Sequence, residues 1–237
     1  MNWITHGVFI LMVVVLPIIS MSSMRKLKRF ADFGRLPDLT ISNIVGALVL
    51  WLCAVGVSLT WLHQGGDIQG LGLTTPTTSA WVASIIVVLA AISVIAWSAR
   101  RIQRHSTFRQ GFIDSMEYVI AILPRTRRER NSFYLLSITA GICEEIIYRG
   151  FIFAYLLSYM STMSVVIVSS LLFGLAHSYQ GFKGIPQTGL VGLALALLYV
   201  YTGSIWAPII LHAAIDLGYG YLSWLALQQR EKKTVMV

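Results

Sequence analysis

Charge is scarce in this chain. Asp, Glu, Lys and Arg make up 12% of its 237 residues, while apolar types make up 56%. A soluble domain carries about a quarter charged residues, so a water-exposed globule is a poor fit. Cysteine is nearly absent too. Cys53 and Cys143 both lie in apolar stretches, with no C-x-x-C pair and no metal spacing, which argues against a disulfide framework or a thiolate centre. Cys143 borders Glu144 and invites a nucleophile reading, but a small thiol in hydrocarbon is a quiet, buried filler. No Gly-rich phosphate loop, no nucleic-acid motif, no repeat and no low-complexity tract is present, so no nucleic-acid partner is expected.

What the chain does have is long hydrophobic runs. Judged against the roughly 20 residues a bilayer needs, seven spans can be drawn at about 4–22, 40–62, 79–98, 133–157, 162–179, 187–202 and 204–227. The expected fold is an all-α polytopic transmembrane bundle in one domain (1–237). Residues 1–132 hold the N-terminal spans and a basic loop, and 133–217 hold the helices with the chemistry. An eighth span is drawn only if 110–124 dips into the bilayer. Phe112, Ile113, Met116, Val119, Ile120 and Ile122 alternate there with Asp114 and Glu117, and the segment reads as an interfacial amphipathic helix. The first run has no Lys or Arg before it, and the cluster Arg25-Lys26-Leu27-Lys28-Arg29 follows. It therefore reads as a retained helix rather than a removable signal.

The charges support this drawing. Arg25, Lys26, Lys28, Arg29 and Arg35 precede the second span. Arg100, Arg101, Arg104, Arg109, Arg125, Arg127, Arg128 and Arg130 lie between the third and fourth. Lys183 follows the fifth, and Arg230, Lys232 and Lys233 end the chain. Seven spans put all of them on one face. The opposite loops, 63–78, 158–161 and 203, have neither Lys nor Arg. The positive-inside rule then predicts an N-terminus outside and a C-terminus in the cytoplasm. The excess of 18 basic over 10 acidic residues fits an anionic lipid surface.

Six ionisable residues remain inside the spans: Glu144, Glu145 and Arg149 on the fourth, His177 near the end of the fifth, and His212 and Asp216 on the seventh. A charged residue near the centre of such a helix costs about 2.5–3.5 kcal/mol, so these are the first candidates for function. Glu145 and Arg149 are four apart, acid first, and stack on one helix face. They read equally as a structural ion pair and as part of the chemistry. Glu144 is turned about 100° away, free of the arginine, and in low dielectric it can move protons or bond across helices. His212 and Asp216 are also four apart, so the carboxylate can fix the imidazole tautomer. Alone, either histidine reads as a satisfied core residue; together with two glutamates they read as a site. Tyr148 and Phe173 read as packing, with Phe173 one turn from His177 and able to brace it.

Glu-Glu-x-x-x-Arg at 144–149, Phe-x-x-x-His at 173–177 and His-x-x-x-Asp at 212–216 resemble the three motifs of the CAAX protease and bacteriocin-processing (CPBP) family of intramembrane endopeptidases, related to the CAAX prenyl endopeptidase. The approach Thr202-Gly203-Ser204-Ile205-Trp206-Ala207-Pro208 is similar as well. The resemblance covers roughly residues 133–217. It implies hydrolysis of a peptide bond in a membrane-associated protein or peptide, lipid-modified or bacteriocin-like, in a bacterial inner membrane. In a metal-free form, Glu144 and His177 activate water, His212 with Asp216 behind it stabilises the oxyanion or protonates the amine, and Glu145 and Arg149 position the group. In a metal form, zinc is held by Glu144, His177 and His212. Many relatives carry Asn where this chain has Asp216, and an ionised carboxylate cannot donate to an oxyanion. Rival classes are a proton-coupled carrier, since Glu, His and Asp chains also relay protons, and a non-catalytic immunity or regulatory protein. No inverted repeat of the carrier kind is evident, and oligomeric state is open.

Overall fold

The computed structural model describes residues 2–33 and 38–234. Arg35, and the side chains of Arg230, Lys232 and Lys233, all counted in the charge map, lie outside what is described. Among the described residues there are eight helices and no strand. Helix α1 runs through Trp3–Ile10, a wide turn at Leu11–Val15, and Leu16–Asp32. The wide turn lies just ahead of Pro17, which has no N–H to give the preceding turn. The others are α2 (Leu39–His63), α3 (Thr78–Arg104), α4 (Ser106–Ser115), α5 (Arg127–Glu145, widened over Ile146–Ile152 and closing with Phe153–Leu157), α6 (Thr162–Ala176), α7 (Gly184–Thr202) and α8 (Trp206–Thr234).

The expected all-α bundle is present, and all seven expected rods are there. Five helical stretches are long and apolar enough to cross a membrane: Trp3–Phe30, Leu39–His63, Thr78–Arg104, Gly184–Thr202 and Trp206–Gln229. The chain is a multi-pass membrane protein. Stripes of apolar residues face outward, as on α2 at Ile41, Val45, Leu48, Leu52, Val55 and Leu59. In water such a patch would be a liability; against lipid it is the ordinary surface. Helix α6 is apolar but short. At 15 residues it spans roughly 22 Å, less than the hydrocarbon core of about 30 Å. His177 follows directly at its C-terminal end.

The sequence expectation differs in its ends. Hydropathy stops at a basic cluster, but a helix stops where its caps allow. So α1 continues through the basic cluster, and α5 starts at Arg127, where Thr126 and Glu129 form a reciprocal capping box. The 110–124 segment also departs from a single surface helix. Only Ser106–Ser115 is α-helical, followed by turns and a 3₁₀ turn at Ile120–Ile122. Its apolar residues Ile113, Met116 and Val119 are buried with Ala99, Ile102, Leu222 and Ala226 of α3 and α8. The amphipathic face is covered by protein.

Helix α5 is central. It packs on α2 and α8, α8 packs on α3, and the α6–α7 pair closes against α8. Polar ties anchor the first contact: Asn43 donates to Ser132, and the Leu39 N–H donates to the Glu129 carboxylate. Glycine lets the backbones touch where the site is built. A Cβ at Gly141 would lie 2.8 Å from the Ala213 backbone nitrogen, and one at Gly174 2.6 Å from the Ile185 carbonyl. The turn-rich 64–77 loop folds inward at one point. Leu71 is buried in the core beside Gly150, and the Gly72 carbonyl accepts from the Ile205 N–H.

Candidate active site

Three helices bring the six ionisable residues together. Glu144, Glu145 and Arg149 lie where α5 widens into its π turn, a local geometry that recurs at functional sites. His177 caps the C-terminus of α6. His212 and Asp216 lie in the second and third turns of α8. The Gly141–Ala213 contact holds α5 to α8 one turn from Glu145 and next to His212.

Glu145 is fully buried and Arg149 is 1% exposed. Arg149 Nη1 donates to Glu145 Oε1 at 2.9 Å, and Nη2 donates to the Gly192 carbonyl on α7 at 2.7 Å. The guanidinium also lies 4.9 Å from the centre of the Phe173 ring, a cation–π distance. A buried charge survives only if paired and hydrogen-bonded, and this one has a carboxylate, a carbonyl and an aromatic face. The expected pairing within α5 is thus present, and it extends across to α7.

The partner of His212 differs from the expected one. Its Nδ1 lies 2.8 Å from Glu145 Oε1, so the carboxylate that orients the imidazole is Glu145, shared with Arg149. Asp216, four residues on, lies on the other side of the ring, with Oδ2 3.7 Å from Nε2. The reason is packing: the α5–α8 backbone contact carries Glu145 to the Nδ1 edge, while the helical rise places Asp216, 37% exposed at its side chain, beside Nε2. His177 is oriented by backbone. Its Nδ1 lies 2.8 Å from the Phe173 carbonyl, which can only accept, so Nδ1 carries the proton and Nε2 faces inward.

Glu144 completes the group. Its Oε2 lies 3.7 Å from His177 Nε2 and 4.0 Å from His212 Nε2, and it is buried without a hydrogen-bond partner. Both gaps are too long for a direct hydrogen bond. They are of the size a single bridging water spans. In kind, two imidazole nitrogens and a carboxylate are donors zinc accepts. As placed, however, no group of three or more His, Cys, Asp or Glu among the described residues is drawn together closely enough to hold a metal ion.

Phe173 is more central than its sequence position reveals. Its ring lies 4.6 Å from His177, 5.6 Å from His212 and 5.0 Å, edge-on, from Tyr148. Gly192 makes room for it, since a Cβ there would come within 3.0 Å of the ring. One aromatic plate thus supports Arg149 and both histidines. The Phe-x-x-x-His spacing was the available signal; the Gly192 carbonyl left none. Cys143 is fully buried in the core.

Residues 130–218 match the family model described as type II CAAX prenyl endopeptidase Rce1-like. That window contains all six ionisable residues and Phe173. Among curated proteins, "Putative membrane peptidase YdiL" of Bacillus subtilis (strain 168) is 31% identical over 120 residues, covering 46% of this chain and 48% of the relative. The match thus spans about half the length of that protein. No solved structure matches.

Proposed function

We propose that this membrane protein, whose residues 130–218 match the Rce1-like family model of type II CAAX prenyl endopeptidases, hydrolyses a peptide bond of a membrane-associated protein or peptide, using water activated by Glu144. The observation that carries the reading is the convergence of one unpartnered carboxylate oxygen and two imidazole Nε2 atoms, 3.7 and 4.0 Å away, from three different helices.

In this scheme Glu144 Oε2 and His177 Nε2 hold the water. Glu144 takes its proton, and the oxygen adds to the scissile carbonyl carbon as the carbonyl π pair moves onto oxygen. His212 in its imidazolium form, backed by Glu145, faces the resulting oxyanion. The tetrahedral intermediate collapses by breaking the C–N bond, and the proton held by Glu144 passes to the leaving amine. The products are a carboxylic acid and an amine, with one water consumed. Arg149 holds Glu145 in place through the Gly192 carbonyl and the Phe173 face. The low dielectric around these groups strengthens each interaction.

The substrate is an extended, apolar segment delivered at the membrane, lipid-modified or leader-like. The basic loops face the cytoplasm of a bacterial plasma membrane. Purified protein in detergent, given a quenched fluorescent peptide with a membrane-inserting segment, tests this. Glu144→Gln is expected to lower cleavage by about 10²–10⁴-fold while chelator leaves the wild type active. Unimpaired cleavage by Glu144→Gln overturns the scheme. Loss in chelator with recovery on zinc alone replaces it with the metal form. Substrate-driven proton flux without cleavage favours a carrier.

A further inference from the structure

Glu-Glu-x-x-Tyr-Arg contains two interleaved pairs. Glu145 and Arg149 are four apart and bonded. Glu144 and Tyr148 are also four apart, so they share the neighbouring face of α5. That face looks onto the reaction space, because Glu144 reaches both histidines. Tyr148 is 94% buried, its relative exposure being 6%. Its ring lies edge-on against Phe173 at 5.0 Å and 84°, the plate that carries His177 and His212.

A buried phenol normally finds a hydrogen-bond partner. Among the described residues the Tyr148 hydroxyl makes no hydrogen bond, and it is not one of the fully enclosed unpartnered atoms, so it retains some accessible surface. On the same face, Glu144 Oε2 is fully buried and unpartnered. The two are complementary: the carboxylate oxygen needs a donor, which the attacking water supplies, and the phenol O–H needs an acceptor. The remaining groups show what that acceptor is. Hydrolysis builds charge on the scissile oxygen. Asp216, when ionised, can only accept. Both terminal nitrogens of Arg149 are engaged, by Glu145 and Gly192. His212 supplies one donor, and two phenols lie near the histidines: Tyr179, 5.6 Å from His177 and accepting from Gln180, and Tyr148, which alone shares the Glu144 face of α5 and the Phe173 plate.

We propose that Tyr148 is a catalytic residue whose hydroxyl donates a hydrogen bond to the scissile carbonyl oxygen as it becomes the oxyanion. The proposal rests on the peptidase reading above. No proton is transferred from the phenol; it donates to the growing charge and returns to the carbonyl or carboxyl oxygen of the product.

Tyr148→Phe removes one oxygen and keeps the ring against Phe173. On the same quenched membrane-inserting peptide, kcat is expected to fall about 10²–10³-fold, the usual effect of losing one oxyanion donor, with KM within twofold. Binding gives a second readout. A phosphinate version of the peptide, whose P–O⁻ mimics the tetrahedral oxyanion, is expected to bind Tyr148→Phe more weakly by a comparable factor, while the unmodified peptide binds both proteins alike. A Tyr148→Phe protein with wild-type kcat and phosphinate affinity overturns the assignment and leaves the peptidase reading standing. The same loss in Tyr179→Phe with none in Tyr148→Phe also overturns it. A wild type that cleaves no better than Glu144→Gln removes both.

Discussion

Gly141→Ala is the sharpest test of how the site is assembled. The added Cβ would lie 2.8 Å from the Ala213 nitrogen and Cβ, and 3.0 Å from its Cα. These are backbone and first side-chain atoms, so no flexible end can swing aside. Restoring an ordinary contact of about 3.5 Å requires α5 and α8 to part by roughly 0.7 Å. Glu145 is one helical turn on from Gly141, and His212 adjoins Ala213. The same separation would stretch the 2.8 Å Glu145–His212 contact to about 3.5 Å, beyond a normal hydrogen bond, and widen the 4.0 Å Glu144–His212 gap. A misplacement of about 1 Å costs on the order of 10²-fold in rate. Overpacking costs roughly 1–3 kcal/mol, offset by up to about 1 kcal/mol from replacing a helical glycine. The rate loss is equivalent to about 2.7 kcal/mol of transition-state stabilisation, while the stability loss nets to about 0–3 kcal/mol, so cleavage is expected to fall even where unfolding shifts little. The matched control is Gly56→Ala on α2, where a Cβ meets nothing within 4 Å and only the helix gain applies. Cleavage of the quenched peptide and thermal unfolding in the same detergent measure both quantities. A Gly141→Ala protein as active as the wild type and as stable as Gly56→Ala would refute the claim that this contact sets the geometry.

Arg149→Met leaves the Glu145 carboxylate buried with His212 alone and the Gly192 carbonyl without its donor. The expected destabilisation is about 3–5 kcal/mol, with loss of cleavage, and a protein that unfolds at the wild-type temperature would count against the ion pair as the keystone of this region. Glu129 gives a pH test away from the membrane core. Burial alone would raise its carboxyl, but N–H donation from Arg125, Leu39 and Thr126, with the Arg125 charge, holds it below the ordinary carboxylate value. A lowered folded value means stability that is fully present above the unfolded value and lost as pH falls through the folded one. Wild-type unfolding temperature should therefore drop as pH falls below that of an ordinary carboxylate, and Glu129→Gln should start lower and fall less steeply. Parallel acid limbs for the two proteins would remove Glu129 from that role.

Several of these features follow from local order alone. An acid and an arginine four apart on an apolar helix must meet, because the helical period places them there and hydrocarbon offers neither another partner. The outward apolar stripes, and the choice of Glu144, His177 and His212 as the groups to watch, have the same origin, since burying such residues is costly enough to be informative. The ends of the spans were less legible. Hydropathy marks where lipid stops, whereas Thr126 and Glu129 mark where a helix begins.

What tertiary structure decided lies between elements. Which carboxylate orients His212 depends on the α5–α8 approach at Gly141, not on the four-residue spacing to Asp216. The second partner of Arg149 is a main-chain carbonyl, a group every residue carries and no side-chain pattern distinguishes. Phe173 became the common support of three charged or polar side chains only because Gly192 on another helix leaves it room. Periodicity within a rod is a property of the chain's own covalent geometry, so one sequence reveals it; the register between rods arises from how small residues let particular backbones touch, and it exists only once the bundle has closed.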